Sequence, residues 1–217
     1  MTHEQEPSES QNTAEWWDEA WSTMGPVFPD RDDLLAAEVG DLTPGRALDI
    51  GCGEGANAVW LAEQGWRVTA VDYAESAIRR GRGLASERGV EVEFAVTDAA
   101  SFEPDGPFDL ITLFYIQLPA ETRRDVLANA ARVLAPGGLL LFASHDRSEP
   151  PDEWTDEDRS TLTTPDEVAA ELPGLVVQRA AVVYHEPGAH AGSGQHESED
   201  DHGPHGATTL VLATRPS

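Results

Sequence analysis

The residues best suited to chemistry in this 217-residue chain sit in one short stretch, Asp49-Ile50-Gly51-Cys52-Gly53-Glu54-Gly55. Ala47-Leu48-Asp49-Ile50 reads as a buried strand, and a glycine-rich turn follows at once. Glycine permits positive φ and close approach of a ligand to the backbone, and the start of the next helix offers free N–H donors. Strand, turn and helix start together form a corner that can cradle a nucleotide. Asp72 ends the next strand, where a carboxylate can accept both hydroxyls of a ribose bound across the turn. Asp98 follows a third strand in the same way. Structural readings stand beside these: Asp49 can cap its local turn, and Asp72 and Asp98 can cap helix starts. Cys52 reads as a small buried residue, since nothing near it in sequence would lower its pKa.

The elements that must position these groups follow in order. Ala56 to Gln64 has helical spacing, with Val59 and Ala62 on one face and Gly65 as its stop. Arg67 to Val71 is a second strand, so strand, helix and strand predict a right-handed parallel crossover. Glu75 to Arg88 is the next helix, and Glu91 to Val96 alternates as a strand near a sheet edge does. Phe108 to Leu113 is a fourth strand, with Phe114-Tyr115-Ile116-Gln117 leaving its end. A helix opens at Pro119 and buries Leu127, Ala130, Ala131 and Leu134, and Pro136-Gly137-Gly138 breaks it. Leu139 to Ala143 is a central apolar strand from whose end His145-Asp146-Arg147 emerges, and residues 148–163 are an acidic loop containing Trp154. Thr164-Pro165-Asp166-Glu167 opens a helix, with Glu167 reaching back to the cap. Leu175 to Tyr184 and Thr208 to Ala213 close the chain as an antiparallel pair. The predicted fold is α/β, a Rossmann-like seven-stranded sheet, mostly parallel, with a C-terminal antiparallel hairpin. Upstream, Trp16-Trp17-Asp18-Glu19-Ala20-Trp21 is a short aromatic helix and Asp32 to Val39 another. Such dense tryptophans must pack on something. They either cap the core or form a lid, with Trp17, Trp21 or Phe28 touching the ligand corner.

The formal charge is −26 and all basic residues are arginine. Such a surface repels phosphate backbones, which argues against nucleic acid as partner or substrate. No apolar run reaches the ~18 residues of a membrane span, and Met1 to Gln11 has neither the basic start nor the apolar core of a signal peptide. The single Cys52 excludes an internal disulfide, so a cytoplasmic protein is predicted. Residues 1–13 read as a disordered tail and 14–217 as one domain. Within that domain, 185–207 is a flexible acidic insert carrying His185, His190, His196, His202 and His205. Their spacing matches no compact zinc pattern, and no metal site is assigned.

With these residues in place, the chain resembles the class I S-adenosylmethionine-dependent methyltransferases over roughly residues 45–145. The marks are Asp49 to Gly55, Asp72 ending the second strand, Asp98 after the third, and Leu134-Ala135-Pro136-Gly137-Gly138 before the fifth. Trp16-Trp17-Asp18, Phe114-Tyr115 and His145-Asp146-Arg147 look like the small bacterial branch near the thiopurine and tellurite-resistance methyltransferases. The resemblance implies that Gly51, Cys52 and Gly53 pass beneath the methionine part of the cofactor and that Asp49 orients its ammonium. It implies that Asp72 holds the ribose, Tyr73 packs on the adenine, and Asp98 and Ala99 meet the ring's amino group and edge. Phe114 would position the methionine end, and Tyr115 the acceptor. A nicotinamide-dinucleotide site is the rival, since Gly51-x-Gly53-x-x-Ala56 also fits that loose fingerprint. Against it stand Asp49, Gly55 and the Pro-Gly-Gly run, and a chain ending in a hairpin with no second mononucleotide half.

The donor would be a sulfonium with an activated methyl, leaving the protein to align an acceptor behind it and exclude water. A hydroxyl or amine acceptor gains from a base, and His145 is the candidate, with Asp146 to orient it and Tyr115 to help place the acceptor. Trp17, Trp21, Phe28, Tyr115, His145 and Arg147 are the predicted acceptor pocket. The expected protein is a monomer or homodimer that methylates a small molecule and releases S-adenosylhomocysteine. The alternative is a non-catalytic S-adenosylmethionine-binding module, regulatory or metal-responsive, using the histidine insert.

Overall fold

The computed structural model describes residues 13–23, 31–150, 154–184 and 206–217. Phe28, the insert histidines and almost all of the predicted N-terminal tail lie outside the described residues. The elements run α1 (Ala14–Thr23), α2 (Asp33–Val39), β1 (Arg46–Ile50), α3 (Ala56–Glu63), β2 (Arg67–Asp72), α4 (Glu75–Arg88), β3 (Val92–Val96) and β4 (Phe108–Phe114). Then come α5 (Ala120–Val133), β5 (Leu134–His145), α6 (Asp156–Arg159), α7 (Pro165–Ala170), β6 (Val176–Tyr184) and β7 (Ala207–Thr214). They build a seven-stranded sheet of order β3-β2-β1-β4-β5-β7-β6. The first five strands pair in parallel, and β7 lies antiparallel between β5 and β6.

β1 is central because its residues are apolar on both faces. Ala47 belongs to a core shared with Leu35, Val39, Val59, Leu61 and Ile78 from α2, α3 and α4. Leu48 and Ile50 belong to the opposite core, with Val126, Leu127, Ala130 and Val168 from α5 and α7. Each fully buried Leu or Ile contributes about 1.5–3 kcal/mol, so both layers press on the strand that ends in the glycine turn. The turn's own amides tie it to the neighbouring strand: Gly51 N and Cys52 N both donate to the Val71 carbonyl, at 2.9 and 3.1 Å.

One boundary differs from expectation. β5 begins at Leu134, before Pro136-Gly137-Gly138 rather than after it. Leu134 pairs with Phe108, and the β4–β5 ladder slips before it resumes at Leu110 and Leu139. Leu134 is fully buried but lies on the strand, not the helix, and the Pro-Gly-Gly run is accommodated in the irregular part of the ladder. Arg215 N donates to Gly138 O and Gly137 N to Arg215 O, which tie this part to the chain end. The acidic loop contains a helical turn, α6, closed by a reciprocal capping box between Thr155 and Asp158. Thr164 caps α7 as its sequence predicts. The Glu167 carboxylate takes the Arg147 guanidinium, at 2.7 and 2.9 Å, with Thr164's amide adding to the pull that lowers its pKa.

Candidate active site

The turn after β1 has the backbone its glycines allow. Gly51 has φ +67°, and a Cβ there would lie 2.6 Å from Ile116 Cδ1. Gly53 has φ +52°, and a Cβ there would lie 3.0 Å from the Trp21 ring. Bare backbone is therefore required between the segment after β4 and the aromatic helix α1. Gly53 N donates to one Asp72 oxygen and Ala74 N to the other, both at 2.9 Å. Burial pushes the Asp72 carboxyl up, against the amides of Ala74, Gly53 and Tyr73.

Asp49 is 2% exposed. Its Oδ1 accepts from Thr112 Oγ1 at 2.8 Å, and its Oδ2 is buried with no hydrogen-bond partner among the described residues. Burial first, and Asp72's charge after it, drive the Asp49 pKa up to about 7. The Cys52 thiol is pushed well up by burial, Asp49 and Asp72, so it stays protonated and is no nucleophile. The Tyr73 hydroxyl is raised by burial and by the charges of Asp72 and Asp98, which places all three at the same end of the sheet. Asp98 turns its side chain onto Ala100 N at 2.9 Å, an Asx turn with no helix behind it. Ala99 directs its carbonyl to Asn129.

This corner fits a cation carrying a ribose. A buried carboxylate oxygen lacking a partner suits an ammonium group, and two acids facing a bare turn favour positive charge. A pyrophosphate would meet the same two carboxyls unfavourably.

The other predicted residues are not all brought together. Trp21 is buried on Ala74 and Ala77, with Trp17 packed beside it, so α1 covers the corner. Asp18 fastens it there, with Oδ1 accepting from Ser76 N at 2.6 Å and its carbonyl from Ser76 Oγ at 2.8 Å. That gives α4 the side-chain cap its own Ala74 lacks. Phe114 is buried in the core. Tyr115 and His145 come together, ring centroids 5.1 Å apart. Arg147 is committed to Glu167 and the Leu162 carbonyl. Asp146 does not serve as His145's orienting acid: its carboxylate accepts from Ser148 N, Ser148 Oγ and Thr209 Oγ1 at 2.9, 2.6 and 2.6 Å. Those bonds hold its pKa down against burial. Trp154 and Thr208 join the Tyr115–His145 pair, although no local pattern singles them out.

Residues 47–138 match the family model of the methyltransferase domain. The 2-heptyl-1-hydroxyquinolin-4(1H)-one methyltransferase of Mycobacteroides abscessus is 40% identical over 114 residues, covering 50% of each chain. The ubiquinone biosynthesis O-methyltransferase of Caulobacter sp. is 35% identical over 105 residues, 48% of this chain and 42% of that one. The match thus spans about half the length of these relatives. Among solved structures, the N-methyltransferase NodS of Bradyrhizobium japonicum with bound S-adenosyl-L-homocysteine superposes at a TM-score of 0.69. It shares 20% identity and covers 95% of this chain and 100% of that one; a likeness at that identity speaks for the fold. No helix among the described residues is long and apolar enough to cross a membrane. The segment that matches the methyltransferase-domain model, residues 47–138, contains the glycine turn, Asp72 and Asp98 of this corner, and the sheet around it has the Rossmann-like order β3-β2-β1-β4-β5-β7-β6.

Proposed function

We propose that this protein transfers the methyl group of S-adenosylmethionine to a small-molecule acceptor. The observation that carries the reading is the buried, half-partnered Asp49 beside the bare Gly51 and Gly53 turn. In this reading Asp49 takes the ammonium, Asp72 the ribose hydroxyls, and Tyr73, Asp98 and Ala99 the adenine, while Cys52 lines the turn as a neutral thiol. The bound cofactor supplies an activated methyl on sulfur, so the chain's task is alignment and exclusion of water. Trp17 and Trp21 on α1 supply the cover. Tyr115, its hydroxyl held protonated by burial, acts as a wall and a donor rather than a phenolate base. His145 is the group that can take a proton from a hydroxyl or amine acceptor, while a thiolate would need none.

The relatives' names support a small acceptor, and the acidic surface supports one that is not nucleic acid. We place the protein in the cytoplasm as a monomer or homodimer. A position near the thiopurine and tellurite-resistance branch rests on Trp16-Trp17-Asp18, Phe114-Tyr115 and His145-Asp146-Arg147 alone. The non-catalytic alternative relies on the histidine segment, which lies outside the described residues.

The test is S-adenosylhomocysteine release from S-adenosylmethionine with thiols, phenols, amines and carboxylates, against a no-acceptor control. Release with one acceptor class is the expected result. Binding of S-adenosylhomocysteine without turnover on any acceptor would favour the non-catalytic module, and absence of binding would overturn the cofactor assignment.

A further inference from the structure

At the carboxyl ends of β4 and β5, beside the amino end of the antiparallel β7, a row of aromatic rings is assembled from segments far apart in sequence. The Tyr115 ring lies 5.1 Å from His145 at an interplanar angle of 53°, and His145 lies 4.8 Å from Trp154, edge to face at 75°. Phe114 continues the row into the core, 6.3 Å from Tyr115. Phe114 is buried, whereas Tyr115, His145 and Trp154 are each half-buried, so ring surface remains available at one end of the row.

The row is held in place. Tyr115 has φ +52°, the one positive φ outside glycine among the described residues. A left-handed conformation is unfavourable for a tyrosine, and such strain collects at functional sites. It is maintained by Tyr115 N donating to Ala143 O at 2.8 Å and by a hydroxyl pair with Thr208 at 3.2 Å. Trp154 is anchored by its carbonyl, which accepts from Arg159 Nε at 3.0 Å, and by the capped turn α6 that follows it. The row also abuts the cofactor corner, because Ile116, next to Tyr115, covers Gly51.

Aromatic rings that are fixed, half-exposed and tilted offer faces and edges to another flat ring. In a chain of charge −26, this wall presents an indole, an imidazole and a phenol instead of carboxylates. That chemistry suits a planar, weakly acidic molecule and gives little to an aliphatic one of equal size. We propose that Tyr115, His145 and Trp154 select planar aromatic acceptors bearing a ring hydroxyl, with Thr208 positioning Tyr115. The inference rests on the methyl-transfer reading above. In the reaction the acceptor oxygen forms a new bond to the methyl carbon as the sulfur–carbon bond breaks. The bonding pair stays on sulfur, leaving a neutral thioether, and the acceptor's proton passes to His145 or to water.

The test uses the full chain saturated with S-adenosylhomocysteine and titrated calorimetrically with 1-naphthol and with its saturated analogue, decahydro-1-naphthol. Naphthol is expected to bind about tenfold more tightly than the analogue. Trp154→Ala should erase that preference while leaving S-adenosylhomocysteine affinity intact, and Trp154→Phe should restore most of it. Equal binding of the two alcohols, no binding of naphthol, or an unchanged preference in Trp154→Ala would overturn the proposal. Failure of S-adenosylhomocysteine itself to bind would instead sink the methyl-transfer reading beneath it.

Discussion

The two ends of the proposed reaction site are built in opposite ways. The proposed cofactor corner is a bare backbone turn with two acids set against it: the positive-φ Gly51 and Gly53, a carboxylate gripped by two amides, and a buried acid at the end of one strand. All of it comes from one strand–turn–helix unit and the strand beside it. The proposed acceptor wall is made of side chains from the end of β4, from β5, from the α6 loop and from β7, joined by ring contacts and one hydroxyl pair. A corner of backbone accepts few substitutions and holds a ligand whose shape is constant. A wall of side chains can be exchanged residue by residue without disturbing the corner. Damage to the corner should therefore abolish cofactor binding, whereas damage to the wall should change acceptor preference and leave the cofactor alone.

The largest effect is expected from Gly51→Val. The new side chain would collide with Ile116 and force a β-branched residue into positive φ. Stability should fall by about 2–4 kcal/mol, read by thermal or urea unfolding, and S-adenosylhomocysteine binding should disappear. Next comes Asp49→Asn, which should weaken S-adenosylhomocysteine roughly ten- to a hundredfold, the value of a hydrogen bond to a charged group.

Asp49 also predicts a pH signature. Its folded-state pKa is raised, from 3.8 to about 7. Its contribution to the stability of the ligand-free protein is therefore fully present below the unfolded value and is lost as pH rises through about 7. Asp49→Asn should gain stability relative to the parent as pH climbs across that window. Binding runs the other way, because an ammonium favours the carboxylate. Affinity for S-adenosylhomocysteine should fall as pH drops below about 7, with proton release measurable in buffers of different ionisation enthalpy. The Asn variant should show neither effect.

Smaller effects sharpen the contrast. Asp18→Ala removes the cap that α1 lends to α4 and should cost about 1 kcal/mol. By loosening Trp21 over Gly53 it should also speed S-adenosylhomocysteine release, as seen by stopped-flow fluorescence. Thr208→Val should cost about 0.5–1.5 kcal/mol, raise the acceptor KM and leave cofactor affinity unchanged. A loss of cofactor affinity in Thr208→Val would show that the two ends are not separable.

The same contrast governs what can be read from sequence. Asp49 to Gly55, Asp72 and Asp98 announce themselves because glycine spacing and strand ends are local features, and Glu75 to Arg88 is bounded as predicted because Gly89 stops it. Trp154 and Thr208 are silent because their partners lie 9 and 93 residues away, respectively, in His145 and Tyr115. His145-Asp146-Arg147 reads as one functional group, yet the three side chains part company. Asp146 is drawn to Ser148 and Thr209, and Arg147 to Glu167, by partners that only the packed sheet brings near. Pro136-Gly137-Gly138 looks like an interruption between helix and strand, whereas pairing of Leu134 with Phe108 carries the strand through it.

The acid-lined glycine turn is expected to bind a cationic nucleoside rather than a dinucleotide. The most direct measurement is a calorimetric titration of the full chain with S-adenosylhomocysteine and, separately, with NADH. Saturable one-site binding of S-adenosylhomocysteine that is lost in Gly51→Val, with no binding of NADH, is the expected result. Binding of NADH, or no heat and no thermal shift with S-adenosylhomocysteine, would contradict it.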